Sequence, residues 1–278
     1  MIRNIPYIIG ASTWTYCSHN LRDTLKLISS AGIRHVELWA DQIHFDPRTS
    51  NYSLAIIKET LIDNHLHVHS VHLPYSQVDQ TSTPDDRYEQ WETLIETTLN
   101  NASYLGARTA ILHPYPGDPR TNREAVEVSN RLIATLLERL LPLARRFEIK
   151  IAIENMPYLG TQKFGCTMKE LKKLIDRFGE DCFGLCLDTS HCVANAINVC
   201  EEIRVSSSRL LSIHVSDNKI QGQDMHLVPG EGTINWQDFI HCLESIDYVG
   251  AMILEVAGKE DPDHRLKVAY EKILSLMP

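Results

Sequence analysis

Six segments of the chain have the pattern of β-strands, and each ends in a side chain that could bind a metal ion. The six end residues are His72, His113, Glu154, Asp188, His214 and Glu255. Successive members lie 26 to 41 residues apart, about the length of one strand plus one helix. This rhythm is typical of a (β/α)8 barrel, whose strand C-termini meet at one mouth. Imidazoles and carboxylates gathered there would form a site for divalent metal ions.

Apolar strand-like runs and helix-period segments alternate along the whole chain. The predicted strands are Tyr7–Thr13, His35–Trp39, His67–His72, Thr109–His113, Lys150–Glu154, Phe183–Asp188, Leu210–Val215 and Ala251–Val256. The predicted helices are Leu21–Ala31, Leu54–Asn64, Asp86–Leu105, Arg123–Phe147, Met168–Phe178, Ile197–Val205, one that starts at Trp236 after an N-cap at Asn235, and Pro262–Leu276. Gly32 and Gly106 mark two helix ends. With no linker or low-complexity tract, residues 1–278 are predicted to form a single (β/α)8 TIM barrel domain.

Composition restricts the class of protein. A hydrophobic content of 43% is enough for a large core, and the formal net charge of −9 argues against a generally basic nucleic-acid surface. The seven cysteines form no CxxC pair, which argues against a zinc knuckle. Cys182, Cys186 and Cys192 flank a buried-looking strand and are predicted to be reduced core thiols of a cytoplasmic protein. The N-terminus has no signal-peptide pattern, and no apolar run approaches the roughly 18 residues of a membrane span.

Three further side chains could extend the metal site. His191 lies three residues beyond Asp188, and Asp224 and His226 form an i, i+2 pair. In extended backbone such a pair points to one side, so that both members can bind the same ion. Other histidines are predicted to face the surface or the helices. They are His65, His67 and His69 around the third strand, and His19, His35, His44, His241 and His264 elsewhere.

Four stretches are specific enough to suggest a family. They are Ile153-Glu154-Asn155, Asp188-Thr189-Ser190-His191, His214-Val215-Ser216-Asp217-Asn218, and the run from Asp224 to Trp236. Over nearly the whole chain, the pattern resembles the xylose isomerase-like barrels. That superfamily includes sugar and sugar-phosphate isomerases and epimerases, and also endonuclease IV of the AP endonuclease family 2.

The resemblance implies two ligand sets. The epimerase branch would use Glu154, Asp188, His214 and Glu255 around one divalent ion. The endonuclease branch would keep this site and add two ions, one bound by His72, His113 and a bridging Glu154, the other by His191, Asp224 and His226. All nine positions carry the residue type that the endonuclease pattern requires. The expected cofactors are therefore one to three ions per chain, with zinc or manganese suited to these ligands.

The favoured hypothesis is a metal-dependent isomerase or epimerase that acts on a small-molecule sugar or sugar phosphate. Glu154 and Glu255 would move a proton next to a carbonyl, with the metal ion stabilising the developing negative charge. Trp14, Glu37 and Trp39 are predicted to line the substrate pocket. The arginine that ketose epimerases of this kind place after the seventh strand is replaced by Ile220, which leaves Lys219 as the nearby candidate for substrate binding.

The alternative hypothesis is an endonuclease IV-like phosphodiesterase with three zinc ions, for which the partner would be DNA. Clustered ions would activate water and stabilise the attacking and leaving oxygens. Against it, the loop from Met156 to Lys163 lacks the Gly-rich character of endonuclease IV, and the loop with Tyr75 and Gln77 has few cations. The sequence leaves open the substrate, the metal and whether the chain forms oligomers.

Overall fold

The structure is a computed structural model of the 278-residue chain. It describes residues 7–40, 43–48, 51–118, 120, 124–160, 163–179 and 181–277. Residues 1–6, at the N-terminus where no signal peptide is predicted, lie outside the described residues. The same holds for Arg123, the predicted first residue of a helix, and for Thr161 and Gln162 in the loop after the fifth strand.

Eight parallel strands close into a barrel in which β8 pairs with β1. The strands are β1 Ile8–Ser12, β2 His35–Trp39, β3 His67–His72, β4 Thr109–Leu112, β5 Lys150–Glu154, β6 Phe183–Asp188, β7 Leu210–Val215 and β8 Ala251–Leu254. Parallel strands of this kind are buried on both faces, which explains their near-continuous apolar sequences. In β4 and β8 every residue is buried. The predicted (β/α)8 barrel is confirmed.

Helices connect the strands and cover the outside of the barrel. The described α-helices are α1 Leu21–Ser30, α2 Asn51–Asp63, α3 Pro84–Leu105, α4 Val126–Phe147, α5 Met168–Ile175, α6 Thr189–Ala194, α7 Val199–Ser206, α8 Trp236–Glu244 and α9 Pro262–Leu276. Asn235 caps α8 through its side-chain oxygen, and Gly106 ends α3 with a φ of 94°. Glycine adopts this left-handed conformation without the steric penalty of a Cβ atom. Both predicted helix signals are confirmed.

Apolar side chains pack on both sides of the sheet. Inside the barrel, Ile111, Ala152 and Cys186 form a small cluster from three adjacent strands, and Leu211 packs against it. The much larger core lies between the strands and the helices. Ala152 and Cys186 each precede the last residue of their strand by two positions, so they share its inward face. The interior cluster therefore supports the residues that end β5 and β6.

One helix is absent from the sequence prediction. α6 follows β6 without a loop and is too short to show helical periodicity. Asp188 is its N-cap, since the carboxylate accepts a hydrogen bond from the His191 N–H at 2.9 Å. The remaining predicted boundaries differ from the observed ones by a few residues, which is ordinary for element ends. Among the described helices, none combines the length and apolar composition needed to cross a membrane.

The structure contains a disulfide bond that was not predicted from the sequence. Cys200 in α7 and Cys242 in α8 form a disulfide bond that joins these neighbouring helices. The two residues are 42 positions apart and share no spacing motif, so the sequence alone does not indicate their pairing. The thiols of Cys182, Cys186 and Cys192 are buried and free, as predicted.

The histidines of β3 point to opposite sides of the sheet, because successive side chains of a strand alternate between its two faces. His72 faces the interior and is buried, whereas His67 is exposed and His69 is half-buried. His65 precedes the strand and is also exposed. None of these last three belongs to a group of potential metal ligands found among the described residues. The same holds for His19, His35, His44, His241 and His264.

The barrel interior can be tested at Ile111, whose side chain is fully buried. An Ile111→Ala change should lower the free energy of unfolding by about 2–5 kcal/mol, because it removes buried methyl groups and leaves a cavity. Urea denaturation measures this quantity. Val249, which is 78% exposed, provides the control, since Val249→Ala should change stability by less than about 0.5 kcal/mol. Equal stability of the two variants would contradict a packed interior.

Candidate metal centre

Six of the predicted ligands meet at the mouth formed by the strand C-termini. Three of them are the last residues of their strands: His72 in β3, Glu154 in β5 and Asp188 in β6. His113 directly follows β4 and Glu255 directly follows β8. His214 lies near the end of β7. None of them is more than 8% exposed. Because each is attached at the end of a barrel strand, the closed sheet fixes their relative positions.

A central group consists of Glu154, Asp188, His214 and Glu255, whose donor atoms all lie within 4.8 Å of one another. His214 Nδ1 lies 2.8 Å from Glu154 Oε1 and 2.9 Å from Glu255 Oε2. Donor atoms bound to one zinc-like ion are themselves roughly 3–3.5 Å apart. The four side chains therefore have nearly the separations that a shared ion requires.

Glu154 also belongs to a second group, with His72 and His113. Its Oε2 atom lies 3.4 Å from His72 Nε2 and 3.3 Å from His113 Nε2, whereas its Oε1 atom faces His214. A carboxylate whose two oxygens face different ligand groups has the geometry of a bridge between two ions. Glu154 therefore lies where it could contact an ion in either group, and its bridging role stays a prediction.

A third group lies on the other side and contains Asp188, His191 and His226. Asp224 joins it, since its two oxygens lie 3.3 Å from His191 Nε2 and 3.0 Å from His226 Nε2. The backbone there is not extended as predicted, because His226 has a φ of 43°. The convergence of Asp224 and His226 therefore arises from a left-handed turn and not from strand alternation.

Three imidazoles are oriented by backbone carbonyl groups. The Nδ1 atoms of His72, His191 and His226 lie 2.7 to 3.0 Å from carbonyl oxygens. A carbonyl oxygen accepts only, so in the neutral ring Nδ1 carries the proton and Nε2 keeps the lone pair needed to bind a metal. The Nε2 atoms of all three rings face carboxylates of the site.

The chemistry of the donor atoms fits a bound cation. Among the described residues, Glu154 Oε2 and Asp188 Oδ2 are buried and accept no hydrogen bond. A buried acceptor left unsatisfied costs about 1–3 kcal/mol, and more when it is charged. Imidazole nitrogen and carboxylate oxygen suit zinc and manganese. The three groups could therefore hold divalent ions.

The electrostatic field of the centre favours positive charge. Burial acts to raise the pKa of Glu154 and Glu255, but the surrounding imidazoles, His214 foremost, outweigh this effect. They hold the pKa of Glu154 well below its usual range and the pKa of Glu255 at about 2. Burial acts to lower the pKa of His191, but the nearby carboxylates, Asp188 foremost, raise it to about 9. The field that stabilises an imidazolium ion also stabilises a divalent cation.

Asp217 organises the loop that carries Asp224 and His226. Its fully buried carboxylate accepts hydrogen bonds from the backbone N–H groups of Asn218, Gly230 and Ile234 and from the indole N–H of Trp236. The backbone of Asp217 also exchanges two hydrogen bonds of 2.8 Å with Leu227. These contacts fix the loop at both ends and hold its two ligands against the barrel.

Asn155 joins the ends of β5 and β6. Its side chain accepts a hydrogen bond from the Asp188 N–H at 2.7 Å and donates one to the Asp188 carbonyl at 3.2 Å. Asn155 and Asp217 belong to the sequence motifs, but the sequence predicts no role for either of them. Each follows closely after a strand-ending ligand, which was the available signal.

Seven of the nine predicted ligands line a cavity of about 100 Å³, whereas Asp188 and His214 lie behind its lining. Trp14 and Trp39, both predicted to bind substrate, contribute to its wall together with Tyr75 and Met156. The Tyr75 ring stacks on the imidazole of His113 with a centroid separation of 4.4 Å. The cavity therefore combines a polar, ligand-lined floor with an aromatic wall.

The other two predicted substrate-binding residues lie elsewhere. Glu37 is fully buried inside the barrel, where its Oε2 accepts a hydrogen bond from Ser70 Oγ at 2.7 Å. Lys219 is exposed and lines a separate cavity of about 480 Å³ beside α7 and α8. Neither residue lines the cavity of the candidate metal centre.

A closed parallel barrel with buried imidazoles and carboxylates at its strand ends belongs to the class of (β/α)8 proteins with a candidate metal site at the mouth. Residues 25–276 match the family described as the xylose isomerase-like TIM barrel. The chain therefore belongs to this family, as the resemblance of its motifs predicted.

Several known proteins are similar to this chain. The structure of D-psicose 3-epimerase determined with D-fructose has a TM-score of 0.80 at 18% identity and covers 96% of this chain and 98% of its own. The IolI protein with a zinc atom has a TM-score of 0.80 at 16% identity, with 96% and 97% covered. The probable endonuclease 4 of Mycoplasma mobile is 24% identical in an alignment of 243 positions that covers 83% of this chain and 80% of the relative. The two solved structures establish the shared fold.

The position of Glu154 between two ligand groups leads to a prediction about metal content. A Glu154→Ala change should remove more than one ion per chain, because it takes a ligand from two groups. His191→Ala is the matched comparison and should remove one ion at most, since His191 belongs to one group. Elemental analysis of metal-replete protein measures both. A wild-type content that never exceeds one ion per chain in zinc or manganese excess would contradict the bridging arrangement.

The contacts of Asp217 lead to a separate prediction. Asp217→Asn should weaken ion binding by His191, Asp224 and His226 by about tenfold or more, because the loop that positions two of them loses part of its support. The central group should keep its ion. Metal titration of the variant measures this, and Asp247→Asn, at an exposed turn, is the control. Equal loss from both groups would show that Asp217 does not act locally.

Proposed function

We propose that the protein is a divalent-metal-dependent isomerase or epimerase that acts on a sugar or sugar phosphate. The observation that carries this proposal is the arrangement of Glu154 and Glu255, whose oxygens lie 2.8 and 2.9 Å from the same nitrogen of His214. Glu154 ends β5 and Glu255 directly follows β8, and these two strands are not neighbours in the barrel. Two carboxylates beside one reacting carbon suit a proton transfer next to a carbonyl.

Each member of the central group has a proposed role in the reaction. Asp188 and His214 would hold the ion together with the two glutamates, and the bound ion would act as a Lewis acid that polarises the substrate carbonyl. Glu154 and Glu255 would remove a proton from the carbon beside that carbonyl and return one to it or to its neighbour. Both carboxyls have a lowered pKa and are ionised near neutral pH, the state that a base requires.

The residues in the wall of the cavity are suited to binding a sugar. Trp14, Trp39 and Tyr75 offer flat apolar surfaces against which the C–H face of a sugar can pack, while the ligand side chains offer polar partners to its oxygens. A small apolar wall with a few converging polar groups is typical of small-molecule sites. The similarity to D-psicose 3-epimerase supports the same substrate class.

A second candidate function is phosphodiester hydrolysis on DNA. It is favoured by the two flanking groups, which contain His72 and His113 on one side and His191, Asp224 and His226 on the other. A transfer of a single proton does not require them, whereas clustered ions suit hydrolysis because they activate water and stabilise both reacting oxygens. The likeness to the probable endonuclease 4 of Mycoplasma mobile supports this candidate.

The charge of the mouth favours the first candidate. The ligand-lined cavity adjoins a wider one of about 680 Å³, where Arg120 is the one Lys or Arg side chain among the described lining residues. Its Nε atom lies 2.9 and 3.0 Å from the two oxygens of Asp118, so it is already engaged in an ion pair. Strong binding to a DNA backbone requires several cations that contact phosphates. The acidic chain, with a formal net charge of −9, lacks a general attraction for DNA.

Hydrogen exchange tests the proposed chemistry. In deuterated water and with added zinc or manganese, the protein should incorporate deuterium at the carbon beside the carbonyl of a ketose or ketose phosphate. Glu154→Gln and Glu255→Gln should each slow this incorporation by about 100-fold or more, because each removes a group that moves a proton. Glu202→Gln, at a buried carboxylate outside the site, is the control and should keep the exchange. NMR of a panel of sugars measures the incorporation.

The competing function is assayed on the same preparation. Duplex DNA with an abasic site should remain intact if the proposal is correct. Cleavage that falls steeply with added salt, together with no exchange on the sugar panel, would overturn the proposal in favour of the phosphodiesterase.

A further inference from the structure

Glu37 is a buried carboxylate for which the proposed reaction has no use. It lies in β2, has no exposed surface and does not line the cavity. It also lies outside the central group of ligands. Ser70 Oγ donates a hydrogen bond of 2.7 Å to its Oε2 atom. A buried carboxylate is costly unless it is paired with a positive or hydrogen-bonding partner, so its Oε1 atom requires an explanation.

The partner of Oε1 is the imidazole of His214. Glu37 Oε1 lies 3.1 Å from His214 Nε2, and both side chains are fully buried. Neither atom makes a well-aligned hydrogen bond with any described residue, although the two atoms lie close together. The two atoms therefore face each other inside the barrel.

His214 is oriented in the opposite way to the other imidazoles. His72, His191 and His226 turn Nε2 toward the site and Nδ1 toward a backbone carbonyl. His214 instead turns Nδ1 toward the carboxylates of the central group and Nε2 into the barrel, toward Glu37. The carboxylate of Glu37 occupies the place that a backbone carbonyl takes for the other three rings.

We infer that Glu37 is a positioning residue for the metal centre. It accepts the Nε2 proton of His214, which keeps the lone pair on Nδ1, the atom that faces Glu154 and Glu255 and would bind an ion held by the central group. A carboxylate behind a ligating imidazole fixes the tautomer and the ring orientation and makes the ligand more basic. Ser70 holds Glu37 in turn through its hydrogen bond. This inference rests on the metal centre of the proposed function.

Metal affinity tests this inference without reference to catalysis. Glu37→Met keeps a similar volume but has no acceptor, whereas Glu37→Gln keeps an oxygen that can accept the Nε2 proton. Glu37→Met should lower the affinity of the central site by about 10–100-fold, and Glu37→Gln should lose less. Zinc affinity is measured by competition with a chelator. The visible absorption of bound Co²⁺ reports whether His214 remains a ligand.

The control is Ile111→Val, which removes one methyl group from the same barrel interior and should leave the affinity unchanged. A Glu37→Met protein that binds zinc within twofold of the wild type would overturn the inference, as would equal losses for Glu37→Met and Glu37→Gln. A residue with a purely structural role would lower the thermal stability of the metal-free protein while leaving affinity unchanged. If the wild type itself binds no divalent ion, the metal centre fails, and with it the proposed function.

Discussion

Repulsion among buried carboxylates is the constraint on which the whole centre depends. Glu37, Glu154, Asp188 and Glu255 lie inside one barrel mouth, and none is more than 7% exposed. Like charges in a medium of low dielectric constant repel strongly and would drive freely placed side chains apart. Here each carboxylate is fixed by the backbone of a barrel strand, so the stability of the packed barrel holds them together. Interleaved imidazoles, and a cation when one is bound, offset the repulsion.

The polar scaffold behind the ligands matters as much as the ligands. Asp224 and His226 lie on a loop, where the backbone is not fixed by a sheet. Their position depends on Asp217, whose carboxylate accepts hydrogen bonds from three backbone N–H groups of the same loop and from Trp236 at the start of α8. Asn155 has the same effect on the ends of two strands. Buried groups of this kind are satisfied by directional contacts, so they set geometry more tightly than apolar packing does.

The parts of the site that were predictable are those that follow from strand register. His72, His113 and Glu154 could be placed at one mouth because parallel strands present their C-terminal ends together. The direction in which a side chain turns was not predictable in the same way. Glu37 stands at a strand position that could face a substrate, yet in the folded chain it turns toward His214. The Cys200–Cys242 pair likewise depends on how two helices pack, which no local pattern encodes.

The bridging geometry of Glu154 connects the number of ions to the chemistry. Its Oε1 atom faces the central group and its Oε2 atom faces His72 and His113. A cation held at Oε2 would draw electron density from the carboxylate and make Oε1 a weaker base. Proton transfer by Glu154 is therefore favoured when the central group alone carries an ion, whereas phosphodiester hydrolysis gains from every additional ion. The two candidate functions thus place opposite demands on the same carboxylate, and the ion content at which the protein is most active distinguishes them.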